Sequence, residues 1–194
     1  LMLLHGAQGK GKSTFVRHLL PPELKDYYRN GMISPDNKDH LLQMSSCLLI
    51  NLDEFDTLSP ARMQELKSLI TQDVMNERKV YDIQNYTFIR RASFIASTNN
   101  PHCLPDIGEN RRILFNTLLE IDYHTPVNHQ GIYAQAYALY RQGFQYWYEN
   151  QEITFLNNRN EAFRQKDPLE ENLFFYFRAA RPNDIQAKWY PASQ

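Results

Sequence analysis

Apolar residues fall into two kinds of run along this chain. Short continuous runs at residues 1–4, 47–52, 92–96 and 113–118 each end in polar residues. Runs of that length, bounded by turn chemistry, mark strands buried on both faces, as in a parallel sheet. Between them the apolar positions recur at spacings of three and four. Residues 15–20 read as one helix, ended by Pro21-Pro22, and residues 23–30 read as a second, short and polar, stopped by Gly31. Ser59 followed by Pro60 is an N-cap with proline at the first helical position. Met63, Leu66, Leu69 and Ile70 give the following segment, residues 60–72, one apolar face. Residues 80–89 are rich in β-formers on either side of Gln84-Asn85, which predicts a hairpin turning there.

Past Asn128 the pattern becomes helical and aromatic. Tyr133, Tyr137, Tyr140, Phe144 and Tyr148 lie on one stripe, predicting a packing face on one long helix. Asp167-Pro-Leu-Glu170 is a capping box that opens a helix carrying Leu169, Leu173, Phe174 and Phe177, and Arg181-Pro-Asn-Asp reads as a boundary. The predicted fold class is α/β: a mostly parallel sheet with helices on both faces, followed by a helical C-terminal extension. Residues 1–125 form the expected core, 126–180 the extension, and 181–194 a linker or the start of a further domain.

Composition narrows the function. A chain of 194 residues is long enough for one sizeable core. Its net charge of −1 gives no global basic field, so any nucleic-acid contact must come from a local patch. Cys47 and Cys103 have no zinc spacing and read as small buried hydrophobes. No signal peptide and no apolar run approaches the ~18 residues of a membrane span, so a cytoplasmic protein without a membrane partner is expected. Leu1 already lies inside a core strand, which predicts a core trimmed at its N-terminal side.

The strongest chemical signal sits at the first strand. Gly6-Ala-Gln8-Gly9-Lys10-Gly11-Lys12-Ser13-Thr14 follows an apolar strand and runs directly into a helix. This strand–loop–helix order holds phosphates on successive backbone N–H groups, with the helix dipole adding partial positive charge. The glycines let the backbone approach closely, Lys12 reaches the β and γ oxygens, and Ser13 is placed to ligate Mg²⁺. Asp53 and Glu54 end the second apolar run and should emerge beside that loop, because ligands in such sheets sit beyond the carboxyl ends of the strands. Asp53 is assigned to Mg²⁺ and Glu54 to activating the attacking water; the alternative is a solvated strand end. Asn37-Lys38-Asp39 places its aspartate one position too early to read guanine, which leaves ATP as the expected nucleotide.

Asn99, at the end of the third strand, is a candidate to hold the γ-phosphate or the water. It is preferred over Asn100, because Pro101 already turns the chain, and turn chemistry is the alternative for both. Arg111 and Arg112 enter the fourth strand as candidates for transition-state charge stabilisation, in this chain or a neighbouring subunit, or else form surface salt bridges. Arg78, Lys79, Tyr81, Arg90 and Arg91 interleave cations and an aromatic around the hairpin. That suits a single strand of nucleic acid as well as it suits a solvated hairpin.

Taken in order, Gly-Ala-Gln-Gly-Lys-Gly-Lys-Ser-Thr, Leu-Asp-Glu, Arg-Lys-Val-Tyr, Arg-Arg, Ser-Thr-Asn-Asn and Gly-Glu-Asn-Arg-Arg resemble the virulence-associated protein E family. These are P-loop ATPases of phages and mobile elements, related to superfamily 3 helicases and poxvirus-type primase-helicases. The resemblance extends to Tyr133 through Gly143 and to Asn160-Glu-Ala-Phe-Arg. It implies a P-loop NTPase fold and an ATP-hydrolysing, helicase-like motor on single-stranded DNA, working in a homo-oligomeric ring such as a hexamer beside a primase domain or partner. On that resemblance Asp53 and Glu54 match the acidic motif, Asn99 the sensor, Arg111-Arg112 the arginine finger, and residues 78–91 a DNA-tracking hairpin. One departure is Arg78-Lys-Val-Tyr81, where the family has Arg-x-Pro-Tyr. The rival readings are a nucleotide-gated DNA- or protein-binding module with little turnover, and a small-molecule P-loop kinase.

Overall fold

All four apolar runs form strands of one parallel sheet. In the computed structural model the described residues are 1–34, 37–53, 55–78, 85–104, 110–165, 168–177 and 188. The strands are β1 (Met2–His5), β2 (Tyr28–Asn30), β3 (Leu49–Leu52), β6 (Ser93–Thr98) and β7 (Leu114–Thr117), in the order β2-β3-β6-β1-β7 and parallel throughout. β4 (Val74–Arg78) and β5 (Asn85–Ile89) form a separate antiparallel hairpin.

Alternation along the strands sends side chains to two faces, and each face has its own cover. Leu4, Leu49 and Ile95 pack with Val16 of α1 (Lys12–His18). Leu3, Ile50, Leu52, Phe94, Ala96 and Phe115 pack in the other cluster. There they join Leu41 and Met44 of α2 (Lys38–Ser46) and Met63, Leu66 and Leu69 of α3 (Pro60–Leu69). Helices therefore lie on both faces, and β3 is buried along its whole length, as its continuous apolar run requires.

Several elements differ from expectation. The predicted polar helix at residues 23–30 is a 3₁₀ turn, Pro22–Tyr27, followed by β2. β2 is a three-residue edge strand bonded only to β3, so its mostly polar side chains face solvent and carry little strand signal. The Asn37-Lys38-Asp39 stretch starts α2, where the Asn37 side chain accepts from the N–H groups of Asp39 and His40. Asn85 lies in β5, paired with Arg78, and not in the turn expected at Gln84-Asn85; residues 79–84 lie outside the described residues.

The long aromatic helix is also interrupted. α4 (His129–Arg141) ends where Gly143 adopts φ 70° and Phe144 N–H donates back to Leu139 O (3.0 Å), a glycine-terminated helix end. Phe144 and Tyr148 thus leave the stripe. Tyr137 and Tyr140 are 61% and 75% exposed, while Tyr133, at the start of the stripe, donates its hydroxyl to Leu19 O (3.3 Å). α5 (Asn150–Glu161) returns to the core, where Asn160 Nδ2 donates to Asn110 O (3.0 Å) and Ile113 O (2.8 Å), and Phe163 stacks on Phe115. α6 (Pro168–Tyr176) starts at the predicted proline. Cys47 and Cys103 are both buried and free, and burial pushes the Cys103 thiol up to about 11. Among the described residues no helix is long and apolar enough to cross a membrane.

Candidate functional site

Because the sheet is parallel, the carboxyl ends of β1, β3, β6 and β7 open on one edge, and the chain segments leaving them meet there. They enclose a cleft of ≈ 610 Å³ lined by residues 8–14, Asp53, Asp56, Thr57, residues 97–99 and Tyr123. Gly9 and Gly11 both take left-handed backbone (φ 79° and 77°), which curls the loop after β1, and Gly6 N–H donates to Thr98 O. Gln8 and Lys10 are exposed on the loop, while Ser13 and Thr14 begin α1 half-buried.

Lys12 is the buried charge of the cleft, 8% exposed. Its ammonium has three donors, and all three are used: Gly6 O (2.7 Å), Ala7 O (3.0 Å) and Asn99 Oδ1 (2.7 Å). Desolvation lowers its pKa, opposed by the carboxylates of Asp53 and Asp56. Ser13 Oγ donates towards both Asp53 oxygens (3.2 and 3.4 Å), and Ser97 Oγ donates to Asp53 Oδ1 (2.6 Å). A hydroxyl and a carboxylate side by side are hard oxygen donors of the kind Mg²⁺ takes. Among the described residues no group of three or more His, Cys, Asp or Glu could hold a metal.

The expected residues divide cleanly. Lys12, Ser13, Asp53 and Asn99 are brought together, whereas Asn100 serves the turn, accepting from His102 N–H (2.9 Å). Glu54, Lys79 and Tyr81 lie outside the described residues, as does the side chain of Arg78. Arg111 and Arg112 precede β7, at the amino edge of the sheet, a full strand length from the cleft; Arg112 donates to Lys67 O (3.4 Å). Arg90 is spent on structure, bonding Gln72 O, Ala92 O and the Asp73 carboxylate, while Arg91 is exposed. Ser97, Asp56, Thr57 and Tyr123 were not anticipated. Of these, only Ser97 lay in a stretch already singled out, the polar end of the third apolar run.

The virulence-associated protein E-like domain matches residues 1–165. The chain belongs to that family. No curated protein sequence matches it. Among solved structures, the apo NrS-1 C-terminal region is similar at 16% identity and a TM-score of 0.45, covering 84% of this chain and 35% of that one. An A-form apo structure of that region gives 16% and 0.42 over 84% and 34%. The chain spans about a third of the length of these structures.

One neighbour of Lys12 gives a pH expectation. His5, at the end of β1, has a buried Nδ1 with no hydrogen-bond partner, and its pKa is lowered, chiefly by desolvation and then by the Lys12 charge. The unfolded chain therefore binds a proton that the folded chain refuses, so stability is full above about pH 6.5 and falls as pH drops below it. Thermal melts of His5→Gln should lose less stability on acidification than the parent. Parallel acid limbs would remove His5 as the cause.

Proposed function

We propose that this domain binds ATP with Mg²⁺ in the cleft and hydrolyses it, as a P-loop motor that moves along single-stranded DNA during replication of a mobile element. The observation carrying this reading is the bonded cluster of Lys12, Ser13, Asp53 and Asn99, gathered from the ends of three parallel strands. In it, Lys12 exchanges its protein acceptors for β and γ oxygens, and Ser13 and Asp53 hold the metal. Glu54 takes the proton of the attacking water, and Asn99 contacts the γ-phosphate. Arg111 or Arg112, remote from their own cleft, act in the cleft of a neighbouring copy, which makes a homo-oligomeric ring part of the proposal. Family membership and the replication enzymes the family resembles support DNA as the partner.

Steady-state ATP hydrolysis, with and without single-stranded DNA and across protein concentrations, tests this. Turnover that rises with DNA and faster than linearly with protein fits shared sites in a ring. Glu54→Gln should keep nucleotide binding and lose turnover at least about a hundredfold. An unchanged rate in that variant removes Glu54 from the mechanism. Tight binding by the parent with no turnover favours a nucleotide-gated module instead.

A further inference from the structure

The chain that leaves β7 returns along the loop after β1 and meets it at both ends. Leu118 N–H donates to His5 O (2.8 Å), and Leu118 O would lie 3.1 Å from a Cβ at Gly6. Further on, one face of the Tyr123 ring lies on Gly11: a Cβ there would sit 2.1, 2.4 and 2.7 Å from three consecutive ring carbons. Contact that close is possible only because residue 11 has no side chain. The His124 ring takes the other face, 4.2 Å between centroids.

This wedge is tied to its own turn. The Asp122 carboxylate accepts from His124 N–H (3.0 Å), Thr125 N–H (3.0 Å) and Thr125 Oγ1 (2.5 Å), closing a turn that contains Tyr123. These bonds hold the Asp122 carboxyl below its usual range.

The loop has reason to need support. Gly9 and Gly11 both take left-handed backbone, and glycine loses more conformational freedom on ordering than any other residue. A loop that receives phosphate oxygens on its backbone N–H groups must present them in one arrangement, and each residue left unordered lowers affinity by its ordering cost. Lys12 Nζ holds the entry to the loop through Gly6 O and Ala7 O, and the Tyr123 ring meets its exit at Gly11.

We infer that Tyr123 is a positioning residue for phosphate binding: wedged between Gly11 and His124, its ring braces the loop that receives the triphosphate and does not contact the base. This rests on the nucleotide reading proposed above. Because the ring acts through the loop, its loss should be felt equally by every ligand that brings the same phosphates.

The test is calorimetric binding of Mg²⁺ with ATP and with inorganic tripolyphosphate, below the melting temperature of every protein compared. The proteins are the parent, Tyr123→Ala, Tyr123→Phe, Asp122→Ala and the Asp122→Ala, Tyr123→Ala pair. Tyr123→Ala should weaken both ligands by the same factor, about tenfold, the ordering cost of roughly one residue. Tyr123→Phe should keep parent affinities. Asp122→Ala should weaken both ligands less, and the pair should bind as Tyr123→Ala does, since Asp122 acts through the ring. Weaker ATP with unchanged tripolyphosphate would make the ring a base contact, and tighter tripolyphosphate would make it a cover; either overturns the brace. So do an additive pair, a loss in Tyr123→Phe, and parent affinities in Tyr123→Ala. Should Tyr123→Ala fail to fold, Asp122→Ala decides: equal weakening of both ligands supports the brace, and parent affinities overturn it. Parent protein that binds ATP but not tripolyphosphate overturns the brace alone; parent protein that binds neither overturns the nucleotide reading with it.

Discussion

Lys12→Ala should lower kcat/KM for ATP by roughly 10³-fold or more, because in the proposed ATPase reading it removes both ground-state binding and a cation aimed at charge developing on the transferred phosphoryl group. Stability should scarcely move. The Lys12 ammonium is desolvated, which costs free energy, and it repays that cost through three hydrogen bonds to Gly6 O, Ala7 O and Asn99 Oδ1. Removing the charge removes both sides of that balance: relief of the desolvation offsets the buried bond lost at Gly6 O, and Asn99 Oδ1 borders the open cleft, where water can reach it. The net change should be within about 1 kcal/mol. Thermal melts separate the two effects. The parent should gain about 2.7 kcal/mol at a ligand concentration a hundred times Kd, while Lys12→Ala melts near the ligand-free parent whether or not ATP is present. A variant that keeps ATP turnover, or one that unfolds, would contradict this account of Lys12.

Which parts of this picture were legible in the sequence follows from where each signal resides. β1, β3 and β6 lie inside the sheet and are largely buried, and burial writes itself as an apolar run. β7 is an edge strand in which only Phe115 is buried, and its signal is the shorter run Ile113-Leu-Phe115. The loop after β1 and the polar ends of β3 and β6 were legible for the same reason, since a parallel sheet delivers all its carboxyl ends to one edge. β2 and α2 were missed because an exposed edge strand and a half-exposed helix carry weak patterns; Leu41 and Met44 are the buried pair of α2. The position of Arg111 and Arg112 was available to the same logic. Residues preceding a parallel strand lie at the opposite edge from residues following one. Gly143 likewise marked the end of α4 inside the aromatic stripe. Tyr123 was not legible, because its contact with Gly11 joins residues far apart in sequence and leaves no local periodicity.

That contact makes Gly11→Ala the substitution with the largest expected effect on stability, and Gly9→Ala its natural control. Both glycines have left-handed backbone, φ 77° and 79°, so alanine at either costs about 1–2 kcal/mol in strain. A Cβ at Gly9 meets nothing within 4 Å, whereas one at Gly11 meets the Tyr123 ring at 2.1 Å. Forcing that ring from a turn in which the Asp122 carboxylate accepts from His124 N–H and Thr125 N–H should add about 1–3 kcal/mol, the usual range for overpacking. Gly11→Ala should therefore melt several degrees below Gly9→Ala, at about 2–4 °C per kcal/mol for a chain of this length. Pairing Gly11→Ala with Tyr123→Ala should recover the steric part and leave the backbone part, bringing the double variant close to Gly9→Ala with Tyr123→Ala. The non-additivity should be about 1–2 kcal/mol. Strict additivity, or equal losses at the two glycines, would mean that the ring is not seated on the loop.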